Sequence, residues 1–294
     1  MEIHNEKSYR GAEKLFEKIL QKKSTPEYFY YRIKNLLNWS EYVGRSNSVK
    51  HVKLLNKAKV LISQALQLYR YNEKKSDFEL LRSLYYGLKG YRKFASQILA
   101  RLWDKYRENK YYRYLRWKFK GNSPNPFDKD ISVLIEKHPR FFKARFDRAR
   151  YFFNHGILHI ATSEARYCWR LKPKSPWATT FYGVCILEHN EPYRAILYFK
   201  KVLRIEEYSP AIFEMGRSLY LYGKLKKSLM FFNRSVELNP GNVPAHFYLG
   251  KSYMILRMRE KAIFHFKKYI LLNPSAIDID DVKRWVNKLK NKIN

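Results

Sequence analysis

A period of about 34 residues, clearest toward the C-terminus, constrains this 294-residue chain more than any other feature. Leu249-Gly250-x-x-Tyr253, Ala262-x-x-x-Phe266 and Pro274 have counterparts 34 residues earlier: Met215-Gly216-x-x-Leu219, Ser228-x-x-x-Phe232 and Pro240. Small residues on two successive helical segments let the segments approach closely. Larger residues at helical spacing, Leu219 with Phe232 and Tyr253 with Phe266, fill the seam between them. Gly90, Gly156 and Gly223 fall where an inter-helix turn needs a left-handed residue. Pro240 and Pro274 close the second helix and begin the next unit. One such pair cannot bury its own apolar face, so the pairs must stack.

Numbering each unit so that the first-helix Gly is position 8, the period divides residues 142–276 into 142–175, 176–208, 209–242 and 243–276. Residues 176–208 carry Tyr182-Gly183-x-x-Ile186 and Ala195-x-x-x-Phe199, with Asn190 at the turn. Residues 142–175 carry Ala149-x-x-Phe152, Ala161, Ala165 and Pro173. Upstream, residues 1–141 hold degenerate units. Ser83, Tyr86, Gly90, Ala95, Leu99 and Leu102 keep the register over 76–109, whereas 110–141 keeps the length and Pro139 but loses the small residues. Residues 26–75 read as a longer hairpin with a polar break at Gly44–Ser48, and Ala12, Phe16 and Ile19 as a lone second helix. Residues 277–294 start acidic at Asp278, Asp280 and Asp281 and continue through Trp285 and Leu289, as expected of a C-terminal capping helix.

These residues resemble the tetratricopeptide repeat (TPR), whose pattern is W-x2-L-G-x2-Y…A-x3-F…P, clearly over about 142–276 and in degenerate form over about 7–141. The resemblance implies an all-α fold: a right-handed solenoid of antiparallel helix pairs closed by a capping helix. It also implies a non-enzymatic adaptor or scaffold that holds a partner in a concave groove, lined mainly by positions 2, 5, 9, 12 and 13 of the first helices. Carried onto this chain, position 5 is Phe146, Thr180, Phe213 and Phe247; position 9 is Arg150, Val184, Arg217 and Lys251; position 12 is Phe153, Leu187, Tyr220 and Met254. In three of the four units an aromatic and a cation lie four residues apart, on one helix face. The candidate groove is therefore Phe146, Arg150, Phe153, Phe213, Arg217, Tyr220, Phe247, Lys251 and Met254. Such a surface suits another protein, as a peptide or helix bearing acidic and hydrophobic groups. Position 6 is Asp147, Phe181, Glu214 and Tyr248, which departs from the Asn and Arg of the family's carboxylate clamp.

Charge raises an alternative. The chain has 59 basic and 26 acidic residues, a formal net charge of +33. Such a field attracts polyanions, although Lys, Asn, Ile, Tyr and Phe are all abundant, as biased genome composition would make them. The excess is spread along the chain, with 31 basic and 14 acidic residues before residue 142 and 23 and 9 over 142–276. One segment stands out: residues 101–120 hold 8 basic, 2 acidic and 7 aromatic residues. Arg113, Arg116, Trp117 and Lys120 there are a candidate patch for RNA or single-stranded DNA, cations on phosphates and rings on bases. The competing reading is an amphipathic helix with its aromatics in the core and its cations solvated.

Catalysis has little support. No phosphate-cradling G-x-x-x-x-G-K-[ST], no G-x-G-x-x-G after a strand and no G-x-S-x-G occurs, and the carboxylates are scattered singly. No cofactor or small-molecule substrate is expected. His155 and His159 have a zinc-compatible spacing, but Gly156 places a turn between them and no third ligand is near, so no metal is expected. Cys168 and Cys185 form no disulfide framework and read as structural thiols in a reducing, cytoplasmic setting. No apolar run of 18 residues occurs, and Met1–Lys7 has no apolar h-region, so neither a membrane span nor a secretory signal is expected.

Overall fold

The repeated turn sets the architecture. A computed structural model describes residues 6–19, 25–44, 48–121 and 125–291, which are helices and their connections, with no strand among them. The start of the chain read for a signal and most of the Gly44–Ser48 break lie outside the described residues. The helices are α1 (Glu6–Ile19), α2 (Pro26–Val43), α3 (Ser48–Leu68), α4 (Lys75–Leu88), α5 (Arg92–Arg101), α6 (Trp103–Tyr106), α7 (Lys110–Phe119), α8 (Lys129–Lys137), α9 (Phe142–Asn154), α10 (Leu158–Leu171), α11 (Pro176–Glu188), α12 (Pro192–Leu203), α13 (Ser209–Leu221), α14 (Leu225–Leu238), α15 (Val243–Ile255), α16 (Arg259–Leu272) and α17 (Ile279–Asn291). They fall into two compact units, residues 1–178 and 179–294, with the division within α11.

Five helix pairs turn in the same way. The amide that follows each left-handed residue donates to the carbonyl five residues back: Tyr91 to Tyr86, Ile157 to Phe152, Glu191 to Ile186, Lys224 to Leu219 and Met258 to Tyr253. This bond satisfies carbonyls that the helix end leaves orphaned, and it requires positive φ at the turn residue. Gly90, Gly156 and Gly223 supply it freely; Asn190 and Arg257 do so at φ 59°. Arginine in that region costs about 1 kcal/mol or more. Arg257→Gly is therefore expected to raise the stability of the second unit by about 1 kcal/mol, read as a rise of several degrees in its thermal midpoint.

The first-helix glycines serve a different purpose: close approach. A Cβ on Gly183, Gly216 or Gly250 would come within 2.8, 2.8 and 2.5 Å of the rings of Phe199, Phe232 and Phe266 on the following second helix. All three rings are fully buried. Helix α17 then covers the last pair. Val282 and Val286 join the Phe266–Tyr269 core, and the Trp285 ring lies 5.5 Å from Phe266.

Under the α15–α16 seam sits a histidine pair. His246 Nε2 lies 3.0 Å from the Pro240 carbonyl and so donates to it, which leaves Nδ1 to accept from His265 Nδ1 at 3.0 Å. Burial, then the neighbouring His246, pushes His265 down to about 4; burial also lowers His246. Both groups have folded values below their unfolded ones. The neutral pair contributes fully above about pH 6.5, and its contribution falls away as the pH drops toward 4. The second unit should lose about 2 kcal/mol over that window, allowing for partial solvent contact. His265→Phe should flatten the pH dependence of its melting temperature.

Candidate functional site

In the first unit, the inner faces of α7 and α9 converge on the C-terminal half of α2. Glu41 Oε1 accepts from Lys118 Nζ of α7 and Oε2 accepts from Lys143 Nζ of α9 at 3.0 Å. Lys118 also pairs with Asp147 at 2.8 Å, and Lys143 donates to Asn38 Oδ1 at 2.8 Å. The Tyr114 hydroxyl completes the cluster, donating to Asp147 Oδ2 at 2.6 Å. Burial alone would raise the Glu41 carboxyl, but Lys118 and Lys143 outweigh it and hold it far below the usual carboxylate range. Burial alone would likewise lower Lys118, but Asp147 and Glu41 raise it.

Beside this cluster runs an aromatic stack. The rings of Tyr42 and Trp177 stack at 5.4 Å, Trp177 and Phe146 at 5.8 Å, and Phe146 and Phe142 at 5.4 Å. Trp177 Nε1 also donates to the Tyr42 carbonyl at 3.2 Å. Phe146 is therefore buried packing, stacked against Phe142 of its own helix and Trp177 of α11, and presents no free ring to a groove. Of the other groove residues in this unit, Arg150 is exposed and Phe153 half-buried.

The second unit holds the other six. Phe213 lies 6.0 Å from both Phe232 and Tyr248, and Tyr220 meets Tyr248 edge-on at 5.4 Å. Phe247 packs on Tyr269 at 5.2 Å. Each of these rings is half-buried, one side in the core and the other on the face shared by α13 and α15, where half-buried Met254 also lies. The Lys251 ammonium stands 5.3 Å from the Phe247 centroid and 6.0 Å from that of Tyr220. Among the described residues no carboxylate lies within 4 Å of it. Arg217 differs: it is ion-paired to Glu188 and lies 3.1 Å from Glu214. Burial pushes Glu214 up to about 7, against the pull of Arg217. Glu188, at position 13 of its unit, was not singled out from the sequence.

The basic segment turns the aromatic residues of α7 inward. Tyr112, Tyr114, Leu115, Trp117 and Phe119 of α7 are buried, and Trp117 donates its Nε1 hydrogen to the Asn125 carbonyl at 2.6 Å. With 2% exposure, the Trp117 ring offers no face for a base. Arg113 pairs with Glu108, Lys120 pairs with Asp128, and Arg116 lies over Trp103 at 4.3 Å. Charge in the second unit is also sorted by helix. The first helices α11, α13 and α15 carry two Lys or Arg between them, whereas the second helices α12, α14 and α16 carry ten. The α13–α15 face thus carries no continuous positive track.

Elsewhere, His155 stacks on Tyr151 at 3.8 Å, and the described residues contain no cluster of three His, Cys, Asp or Glu that could hold a metal. Cys168 and Cys185 are both buried, and burial pushes the Cys168 thiol up to about 12, far from a reactive thiolate. No described helix is long and apolar enough to cross a membrane.

No protein-family model and no curated protein matches the sequence. The fold does match solved structures. One is a chain of the APC/C hetero-tetramer Cut9–Hcn1, at 13% identity and a TM-score of 0.72; the match covers 96% of this chain and 52% of that one. This chain has the tetratricopeptide-repeat fold. Similarity extends at lower TM-scores to YrrB, described as a TPR protein with an unusual peptide-binding site (15% identity, TM-score 0.43, 76% of this chain and 97% of that one). It also extends to PilW, a type IV pilus biogenesis factor (19%, 0.48, 67% and 91%). The chain spans about half the length of the Cut9–Hcn1 chain it matches.

Proposed function

We propose that this TPR chain is a non-enzymatic adaptor that holds a peptide or helix of another protein against the α13–α15 face. The observation that carries this reading is Lys251, a half-buried cation set between the rings of Phe247 and Tyr220 with no carboxylate partner among the described residues. Rings of that kind take apolar side chains as anchors, and a desolvated ammonium favours one acidic group beside them. Phe213, Tyr220, Phe247 and Met254 are the apolar wall, and Lys251 is the charged contact. Arg217, already matched by Glu188 and Glu214, supports the wall rather than the ligand's charge. The similar Cut9 chain was solved in an assembly with Hcn1, which supports use of this fold as a scaffold. The nucleic-acid alternative keeps less support, because Trp117 is covered and the α13–α15 face carries little positive charge.

The test is selection of helical peptides from a display library, followed by titration of the enriched sequences. Peptides combining an aromatic or aliphatic anchor with a nearby Asp or Glu are expected. Lys251→Ala should weaken them about tenfold without altering the melting temperature. Enrichment of peptides that Lys251→Ala binds equally well would move the site elsewhere.

A further inference from the structure

Six of the ten cations on the second helices of the second unit recur at two repeat positions. In α12, α14 and α16, one apolar residue at the same repeat position points to solvent: Leu197 at 44%, Met230 at 71% and Phe264 at 55% exposure. Each is flanked three residues before and four residues after by an exposed cation: Arg194 and Lys201, Lys227 and Arg234, Lys261 and Lys268. Spacings of three and four place each trio on one helix face. The same positions in α10 are Ile160, Ser163 and Tyr167, so α10 lacks the pattern. Core packing does not account for it, because the buried face of each helix is made by other residues, such as Ala195 with Phe199, Ser228 with Phe232 and Ala262 with Phe266.

We infer that this outer face of the second unit docks on a lipid surface bearing anionic headgroups. A row of apolar side chains set among lysines suits the boundary between headgroups and acyl chains: the chains bury apolar area, and the cations meet the negative surface. Lys227, Lys261 and Lys268 have no carboxylate within 4 Å among the described residues and supply most of that attraction. Arg194 is tied to Glu191, and Arg234 to Glu207 and Glu237, so these two contribute less. Nucleic acid fits the row poorly, since Leu197 and Met230 have no ring on which a base could stack. A lipid-docked second unit would leave its α13–α15 face available to the partner proposed above, and the two surfaces share no residue.

The experiment is co-sedimentation of the full chain with vesicles of phosphatidylcholine alone or with added phosphatidylserine, at low and high salt. Binding is expected only to the anionic vesicles. Lys227→Gln with Lys268→Gln should weaken it about thirtyfold, at roughly fivefold for each cation. Met230→Ser with Phe264→Ser should weaken it about tenfold and leave the remainder fully removable by salt. Both pairs are exposed, and unchanged melting curves confirm that they fold. Lys57→Gln with Lys59→Gln on exposed positions of α3 should change nothing. The inference is overturned if that control pair costs as much as the Lys227 and Lys268 pair, because net charge alone would then explain binding. It is equally overturned if the Met230 and Phe264 variant binds undiminished, or if the chain ignores anionic vesicles while single-stranded RNA binds through the same lysines.

Discussion

Phe266→Ala is expected to cost the second unit about 3–5 kcal/mol, the largest effect of any single truncation proposed for that unit. The ring is fully buried and lies where α15, α16 and α17 meet, in contact with Trp285 and next to Gly250. Gly250→Ala is expected to cost about 1–3 kcal/mol for the opposite reason, since its new methyl would come within 2.5 Å of that ring, which has nowhere to move. The two changes should not add. With Phe266 truncated, the methyl at 250 partly fills the void, so the double variant should be more stable than the sum by about 1 kcal/mol or more. Urea unfolding of the four chains measures the coupling. Simple additivity would mean that the glycine is not there to admit the ring.

Glu41→Gln is expected to be the most damaging polar substitution, at about 3 kcal/mol in the first unit. It removes the single charge that lies between Lys118 and Lys143, leaving one buried cation with Asp147 and the other with only Asn38 and the aromatic face of Tyr111. The pH dependence separates this from a packing defect. The folded Glu41 carboxyl lies well below its unfolded value, so its contribution is complete above about pH 4.5 and declines as the pH falls. The gap between the unmodified chain and Glu41→Gln should therefore narrow by about 1.4 kcal/mol per pH unit below that point. A gap that stays constant to pH 3 would show that the carboxylate is not what Lys118 and Lys143 require. Replacing Glu41, Lys118 and Lys143 together by apolar residues of similar volume should restore much of the loss, because a buried ion cluster is costly to break rather than costly to omit.

How much of this was legible without coordinates depends on how far apart in the chain the contacting groups lie. The pairing of Gly183 with Phe199, Gly216 with Phe232 and Gly250 with Phe266 spans sixteen residues each time, so a repeated small-and-large pattern was enough to reveal it. The turn was legible at Gly90, Gly156, Gly223 and Asn190, but not at Arg257, whose side chain hides its backbone conformation. Over residues 76–109 the register is kept by Ser83, yet the glycine of α4 that admits a ring is Gly87, against Phe119 of α7 in the next degenerate unit. Trp117 was open to two readings because the buried residues of α7 include consecutive and alternate positions, so no one-sided periodicity marks its inner face.

The order of the chain by itself determined that it is all helix, that the helices pair, where they turn and which residues form the seams, because those contacts are local and repeat. It also placed an aromatic and a cation together at Phe247 and Lys251, four residues apart on one helix face. Only the tertiary structure decided which of those faces remain open. Glu41 meets Lys118 and Lys143 from 77 and 102 residues away, and a contact over that distance leaves no mark in a 34-residue period. Stacking by Phe142 and Trp177 buries Phe146, while the rings around Lys251 stay half-buried. The same packing turned a charge spread evenly along the chain into one concentrated on the second helices, because the first helices of the second unit give most of their surface to the core.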